Sequence, residues 1–256
     1  MDCKKALVEA EGEFDKAVDI LRKKGQKVAA KRSERDAAEG VVLAGKTEDG
    51  KHGAIIVLNC ETDFVAKNED FTNFAQNILK IALDKKPADL EALKALPFND
   101  SMTVEEKITE QTGVIGEKIE LSSYDTVDAD SVVAYIHPGN KLASVVGLNK
   151  SGNFAEVGKD VAMQVAAMAP VALDKDSVPE DVVQKEIEVG KDLAIQEGKP
   201  ADLAEKIAMG RLNKFFQENT LLNQAFIKDN KKSIKQYLGE AEDGLSVTSF
   251  KRFSLS

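Results

Sequence analysis

The feature that most constrains this chain is a pattern that occurs twice. VVLAGKTEDGKHGAIIVLN, residues 41–59, is two β-forming runs around a turn, and SVVAYIHPGNKLASVVGLN, residues 131–149, repeats the arrangement. An amphipathic segment follows each, FAQNILKIAL at 74–83 and VAMQVAAMAP at 161–170, with matching apolar positions. A strand–strand–helix unit that recurs within one chain reads as an internal duplication. Two such halves predict an α+β fold, antiparallel sheets with helices on one face. At 256 residues the chain is long enough to bury a core without disulfides or metals.

Local signals fill in the two halves. The first hairpin is expected over 41–46 and 54–60, closed by the turn at 48–53. In the helix that follows, Phe71, Phe74, Ala75, Ile78, Leu79 and Ala82 form one apolar stripe. Thr103 and Glu106 are spaced as a capping box, residues 118–124 read as a strand, and 244–253 read as a closing strand.

The flanking segments differ in kind. Residues 2–11 and 13–24 show helical apolar spacing, with Gly12 between them and Gly25 as the expected stop. Two helices of this size cannot bury a core alone and need a third helix or a partner. Residues 22–35 carry seven basic residues and one acid, which reads as a solvated linker helix or as a contact for an acidic surface. Further on, Ser177 and Glu180 form an expected capping box, Gly198 stops one helix and Pro200 starts the next. Val183, Ile187, Gly190 and Ala194 face Ala204, Ala208, Leu212 and Phe215 across a short turn, which predicts an antiparallel helical hairpin over 178–217. The expected organisation is therefore a helical segment at 1–25, a basic linker at 26–39, a first core unit at 40–128 and a second at 129–256 that carries the hairpin.

Several functions are disfavoured by composition. Lys plus Arg is 35 against 44 Asp plus Glu, a net charge of −9, which argues against a whole-molecule nucleic-acid or anionic-membrane binder. No apolar run approaches the roughly 20 residues of a membrane helix. MDCKKALVEAEGE lacks a signal-peptide core, so a cytoplasmic location is expected. The inventory for catalysis is thin, and no enzyme activity, metal or cofactor is expected. His52 in DGKHG and His137 in YIHPG both read as turn residues without a second ligand at metal spacing. Cys60 ends the run AIIVLNC and reads as a buried strand residue rather than a nucleophile. Gly40–Thr47 matches G-x-x-x-x-G-K-[ST], yet a polar helix-like segment precedes it, a turn follows it, and Val41–Ala44 are themselves strand formers. A phosphate loop needs the opposite context, strand before and helix after.

Four segments together resemble the elongation factor Ts family. They are MDCKKALVEAEGEFDKAVDILRKKG, NCETDFVAKNEDF, EGKPADLAEKIAMGRLNKFF and the closing VTSFKRF, in order along nearly the whole chain. The family's N-terminal module is ubiquitin-associated-like. Its members usually carry about twenty residues ahead of MDCKK that supply a first helix, so residues 1–25 are expected to form part of that module. The resemblance implies a guanine-nucleotide exchange factor that binds elongation factor Tu with GDP and promotes GDP release, so that GTP can reload. It implies no catalytic residues.

By the same resemblance, Thr62, Asp63, Phe64 and Val65 would bind the partner and dislodge its Mg²⁺. From the residues alone, Phe64 is either a staple beneath the next helix or an exposed wedge, and Asp63 is either a partner contact or a helix N-terminal acid. Ile115 and Gly116 match a second contact, with a plain helix stop as the alternative for Gly116. His137 matches a partner-contact histidine, with a satisfied turn histidine as the alternative. Lys4 lies in the first signature and is a further candidate contact. The hairpin reads as a clamp on the GTPase or as a dimerisation device giving a higher assembly. Two other readings remain open: an enzyme centred on Cys60 or Gly40–Thr47, and a scaffold that binds through its first two helices.

Overall fold

The computed structural model describes residues 2–255. Two helices, α1 (Asp2–Glu9) and α2 (Phe14–Arg32), lead into the hairpin β1 (Glu39–Lys46) and β2 (His52–Cys60). The one-turn α3 (Asp63–Ala66), the long α4 (Glu69–Lys85) and α5 (Leu90–Ala95) follow, then the short β3 (Pro97–Asn99) and β4 (Met102–Thr103), α6 (Val104–Ile115) and β5 (Glu120–Asp128). The second half runs through β6 (Ser131–Ile136), β7 (Leu142–Leu148) and α7 (Ala155–Met168). It continues with α8 (Glu180–Gln196), α9 (Ala201–Asn219), the short β8 (Ala225–Phe226) and β9 (Asp229–Ser233), α10 (Ile234–Ala241) and β10 (Val247–Ser254).

The two main sheets share one topology. β5 pairs antiparallel with β2 in the order β1-β2-β5, and β10 pairs antiparallel with β7 in the order β10-β7-β6. In each half, a hairpin receives a later strand on its second strand.

The alternation of side chains then builds four layers. Val41, Leu43, Ile56 and Leu58 face α4, whose Phe71, Phe74, Ala75, Ile78, Leu79 and Ala82 are all buried as the stripe requires. Val42, Ala44, Ile55 and Val57 point the other way, onto Val132, Ala143 and Val145 of the second sheet. Val133, Val146 and Leu148 complete the stack against Val161 and Val165 of α7. Helices therefore cover one face of each sheet, and the remaining faces cover each other. Every residue of β2 is buried, because it has apolar neighbours on both sides.

Three local expectations are corrected. Gly25 does not end the second helix, because α2 runs on to Arg32. Gly25 instead lets α2 approach α6: a Cβ built on Gly113 would lie 2.4 Å from the Gly25 Cα. α6 thus packs on α2, while Ala6, Ala10 and Ala17 are buried between α1 and α2 themselves. The expected Ser177–Glu180 box does not form; Ser177 caps a single 3₁₀ turn with Asp174, and α8 starts behind Pro179 without a side-chain cap. His52 is no turn residue either. It opens β2, is 3% exposed, and its Nδ1 lies 2.7 Å from the Asp128 carboxylate on the paired strand β5. The Thr103–Glu106 capping box is present as expected.

The projecting hairpin of α8 and α9 packs through small residues. Gly190 lies against Ala208, and Ala194, Ala204 and Leu212 are buried between the helices. Gly198 and Pro200 sit at the turn, as their positions predict.

Candidate partner-binding edge

One edge of the first sheet gathers most of the candidate residues. The start of β1, the end of β2 and the start of β5 meet there through the pairs Glu39–Cys60 and Asn59–Glu120. The β6–β7 turn reaches the same edge, where the Val42 N–H donates to the Asn140 carbonyl at 2.6 Å. Lys141 pairs with Glu39 at 2.8 Å.

Beyond Cys60 the chain cannot continue as a strand. Thr62 has extended backbone and its hydroxyl accepts from the Val65 N–H at 3.4 Å, which caps the single turn α3. That turn divides its residues by direction. Val65 packs on the core beside buried Ala66, whereas Phe64 is 82% exposed. The staple beneath α4 is therefore not what Phe64 forms. Asp63 pairs with Lys67 at 2.6 Å, and that hydrogen bond holds the Asp63 carboxyl below its usual range. Both groups are well exposed, so the pair orders the turn more than it stabilises the fold.

Two adjacent residues tie this turn to the end of α6. The Thr62 N–H and hydroxyl donate to the two Glu117 carboxylate oxygens at 3.0 and 2.7 Å. In the reverse direction, the Lys118 N–H donates to Glu61 at 2.6 Å. Glu61 also receives Arg32 at 2.7 Å and Arg35 at 3.2 Å, which pins the end of α2. Part of the basic run thus serves an internal acid. Burial alone would raise the Glu61 carboxyl; the Lys118 N–H and the two guanidinium groups outweigh it and bring it down to about 2.

A stability consequence follows from that depressed value. The Glu61 contribution is complete above the ordinary carboxylate range and is lost as pH falls from about 5 toward 2. Denaturant midpoints measured from neutral pH to pH 2 are expected to fall across that window in the parent. Glu61→Gln should start lower at neutral pH and lack that part of the acid slope. Parallel profiles for the two proteins would show that Glu61 does not hold this junction.

The remaining candidates sort as follows. Gly116 is the left-handed C-cap of α6, so its helix-stop role is structural. Ile115 is half-buried against the core, while its neighbour Val114 is 74% exposed. His137 is exposed in the β6–β7 turn, with Nδ1 2.9 Å from the Tyr135 hydroxyl. Lys4 stands apart on α1, exposed; the preceding Cys3 lines a cavity with Gly113 and Val114 at the end of α6. The structure therefore brings Thr62–Val65, Ile115–Gly116 and His137 to one edge, and Lys4 onto the helical pair beside it. Sequence reasoning passed over Glu61, Glu117, Lys118 and Val114. Charged residues at the ends of two distant elements carry no local pattern that would reveal their pairing.

The alternative centres do not assemble. Cys60 is fully buried, its thiol donates to the Thr62 carbonyl at 3.2 Å, and burial pushes its pKa up to about 12. A thiol so placed is not a nucleophile. Gly40–Lys46 lies in β1 rather than in a loop, and Gly40 is needed there for its backbone, since φ is +148° and a Cβ would lie 2.2 Å from the Leu58 carbonyl oxygen. Among the described residues, no group of His, Cys, Asp or Glu is arranged to hold a metal ion, and no helix is long and apolar enough to cross a membrane.

A sequence-family model described as "Elongation factor TS" matches residues 61–256. The elongation factor Ts of Amoebophilus asiaticus is 54% identical over 254 residues, covering 98% of this chain and 91% of the relative. That of Cytophaga hutchinsonii is 52% identical over 258 residues, covering 100% of this chain and 93% of the relative. That of Christiangramia forsetii is 53% identical over 256 residues, covering 100% and 92%.

Proposed function

The chain belongs to the elongation factor Ts family, and from that premise we propose that it is a guanine-nucleotide exchange factor acting on elongation factor Tu in protein synthesis. The observation that supports this reading is Phe64, a large apolar side chain held 82% exposed on a turn anchored to its own fold. An aromatic side chain held out on a rigid turn is of the kind that anchors protein–protein contacts.

A nucleotide held by Mg²⁺ and a phosphate cradle leaves slowly, because many contacts must break together. A partner speeds release when it binds the nucleotide-free shape better than the loaded one. In this reading Phe64 enters an apolar pocket of the GTPase that exists only once the Mg²⁺ and phosphate site is disturbed. Asp63 brings a carboxylate toward that region, and the Val114–Gly116 end of α6 and His137 hold the same partner domain. GTP binding then displaces the factor, because coupling between two ligands is reciprocal. The hairpin of α8 and α9 extends the contact as a clamp. No step needs a nucleophile or a cofactor from this chain.

Release of a fluorescent GDP analogue from elongation factor Tu tests the reading. The chain is expected to accelerate release, and GDP to weaken the chain's affinity for the GTPase by the same factor as the chain weakens that of GDP. Binding without acceleration would overturn it.

A further inference from the structure

We propose that Glu117 is a positioning residue that fixes the Phe64 turn to the end of α6, so that the two act on the partner as one rigid unit; this rests on the exchange reading above. A four-residue helix cannot hold itself together, since nucleating one turn costs more than its hydrogen bonds return. α3 therefore depends on what caps it. The Thr62 hydroxyl has one proton and two lone pairs. Its proton goes to Glu117 Oε1 at 2.7 Å, which aims a lone pair at the Val65 N–H. The second Glu117 oxygen takes the Thr62 N–H at 3.0 Å.

One carboxylate thus sets both the backbone and the hydroxyl rotamer of the cap. The neighbouring exchange, Lys118 N–H to Glu61, crosses the same junction in the opposite sense. Residues 61–62 and 117–118 are locked reciprocally, although 55 positions separate Thr62 from Glu117. An exposed phenyl ring gains from folding back onto nearby apolar surface, and only a rigid turn prevents that. Without the lock, partner binding would have to order the turn each time, and that ordering would be subtracted from the free energy available to drive release.

The test uses the full chain, elongation factor Tu loaded with a fluorescent GDP analogue, and amide hydrogen exchange of the free protein. Glu117→Ala is expected to lower the maximal release rate about tenfold or more, with the half-saturating concentration changed by less than about threefold. Amides of Val65, Ala66 and Lys67 should exchange at least about tenfold faster, with the melting midpoint close to that of the parent. Glu117→Gln keeps an acceptor for the Thr62 N–H and should recover most of the rate. Thr62→Val should reproduce the loss, Thr62→Ser should not, and Thr62→Val combined with Glu117→Ala should be no worse than either alone.

A parental release rate in Glu117→Ala, or additive losses in the double variant, would overturn the proposal. Should Glu117→Ala fail to fold, the contrast between Thr62→Val and Thr62→Ser decides. Should the parent itself not accelerate release, the exchange reading fails. The lock is then judged by hydrogen exchange alone: unchanged protection in Glu117→Ala would overturn it.

Discussion

Phe64→Ala is expected to slow the release of GDP from elongation factor Tu about ten- to a hundredfold relative to the parent, with no change in melting midpoint. Burying a phenyl ring from an exposed tip is worth roughly 1.5–3 kcal/mol, and each 1.4 kcal/mol is a factor of ten. The absence of a stability effect follows from geometry, because at 82% exposure the ring has little to lose on truncation within its own fold. The two readouts must therefore separate. Equal release by parent and variant would move the driving contact to the Val114–Gly116 end of α6. A lowered melting midpoint would mean that the ring packs on its own chain.

The second large effect is thermodynamic and lies far from that edge. Gln164 on α7 is fully buried and spends its whole amide on the base of the second half. Its Nε2 donates to Gln224 Oε1 and to the Ala225 carbonyl, both at 3.1 Å, and its Oε1 accepts the Ile227 N–H at 2.9 Å. Gln224, also buried, passes on to the Glu218 carbonyl at the end of α9 at 2.9 Å. Gln164→Leu nearly preserves volume, so instead of a cavity it leaves the buried Gln224 amide oxygen and two part-buried backbone groups without that partner. At roughly 1–3 kcal/mol for a buried group left unpaired, and less for each part-buried one, the expected loss is about 3 kcal/mol. That corresponds to a drop of roughly 6 °C in the melting midpoint for a chain of this size. A change under about 2 °C would show that water or local rearrangement satisfies the freed groups. GDP release at a temperature where the variant is folded should be unaffected, since the network touches none of the edge residues.

Local chemistry made much of the fold readable. Period-two and period-3.6 apolar spacing placed the hairpins and α4, and the Thr103–Glu106 spacing placed the start of α6, because each signal is carried by neighbours in sequence. Gly25 was misread because a glycine that stops a helix and a glycine that admits a neighbouring helix look the same in one dimension. Ser177 was misread because its hydroxyl had two possible partners and took the one behind it. His52 was misread because DGKHG has turn composition, while its carboxylate partner, Asp128, lies 76 positions away. The buried role of Gln164 was hidden in a helix whose inward residues, Asp160 apart, are apolar or small.

The candidate edge divides in the same way. TDFV was legible as a segment, and so was its place between a strand and a helix. Its orientation was not: Thr62 turns inward to Glu117, Val65 packs on the core, and Phe64 alone stands out. Residue types and their periods determined which elements form and which faces are apolar, since those depend on steric and hydration preferences within a few positions. Tertiary structure alone decided that the two sheets pack face to face. It alone joined residues 61–62 to 117–118 and brought His137 to the same edge as Phe64. Those pairings close loops of dozens of residues, and nothing in a local stretch of chain encodes which distant charge or strand will be there to meet it.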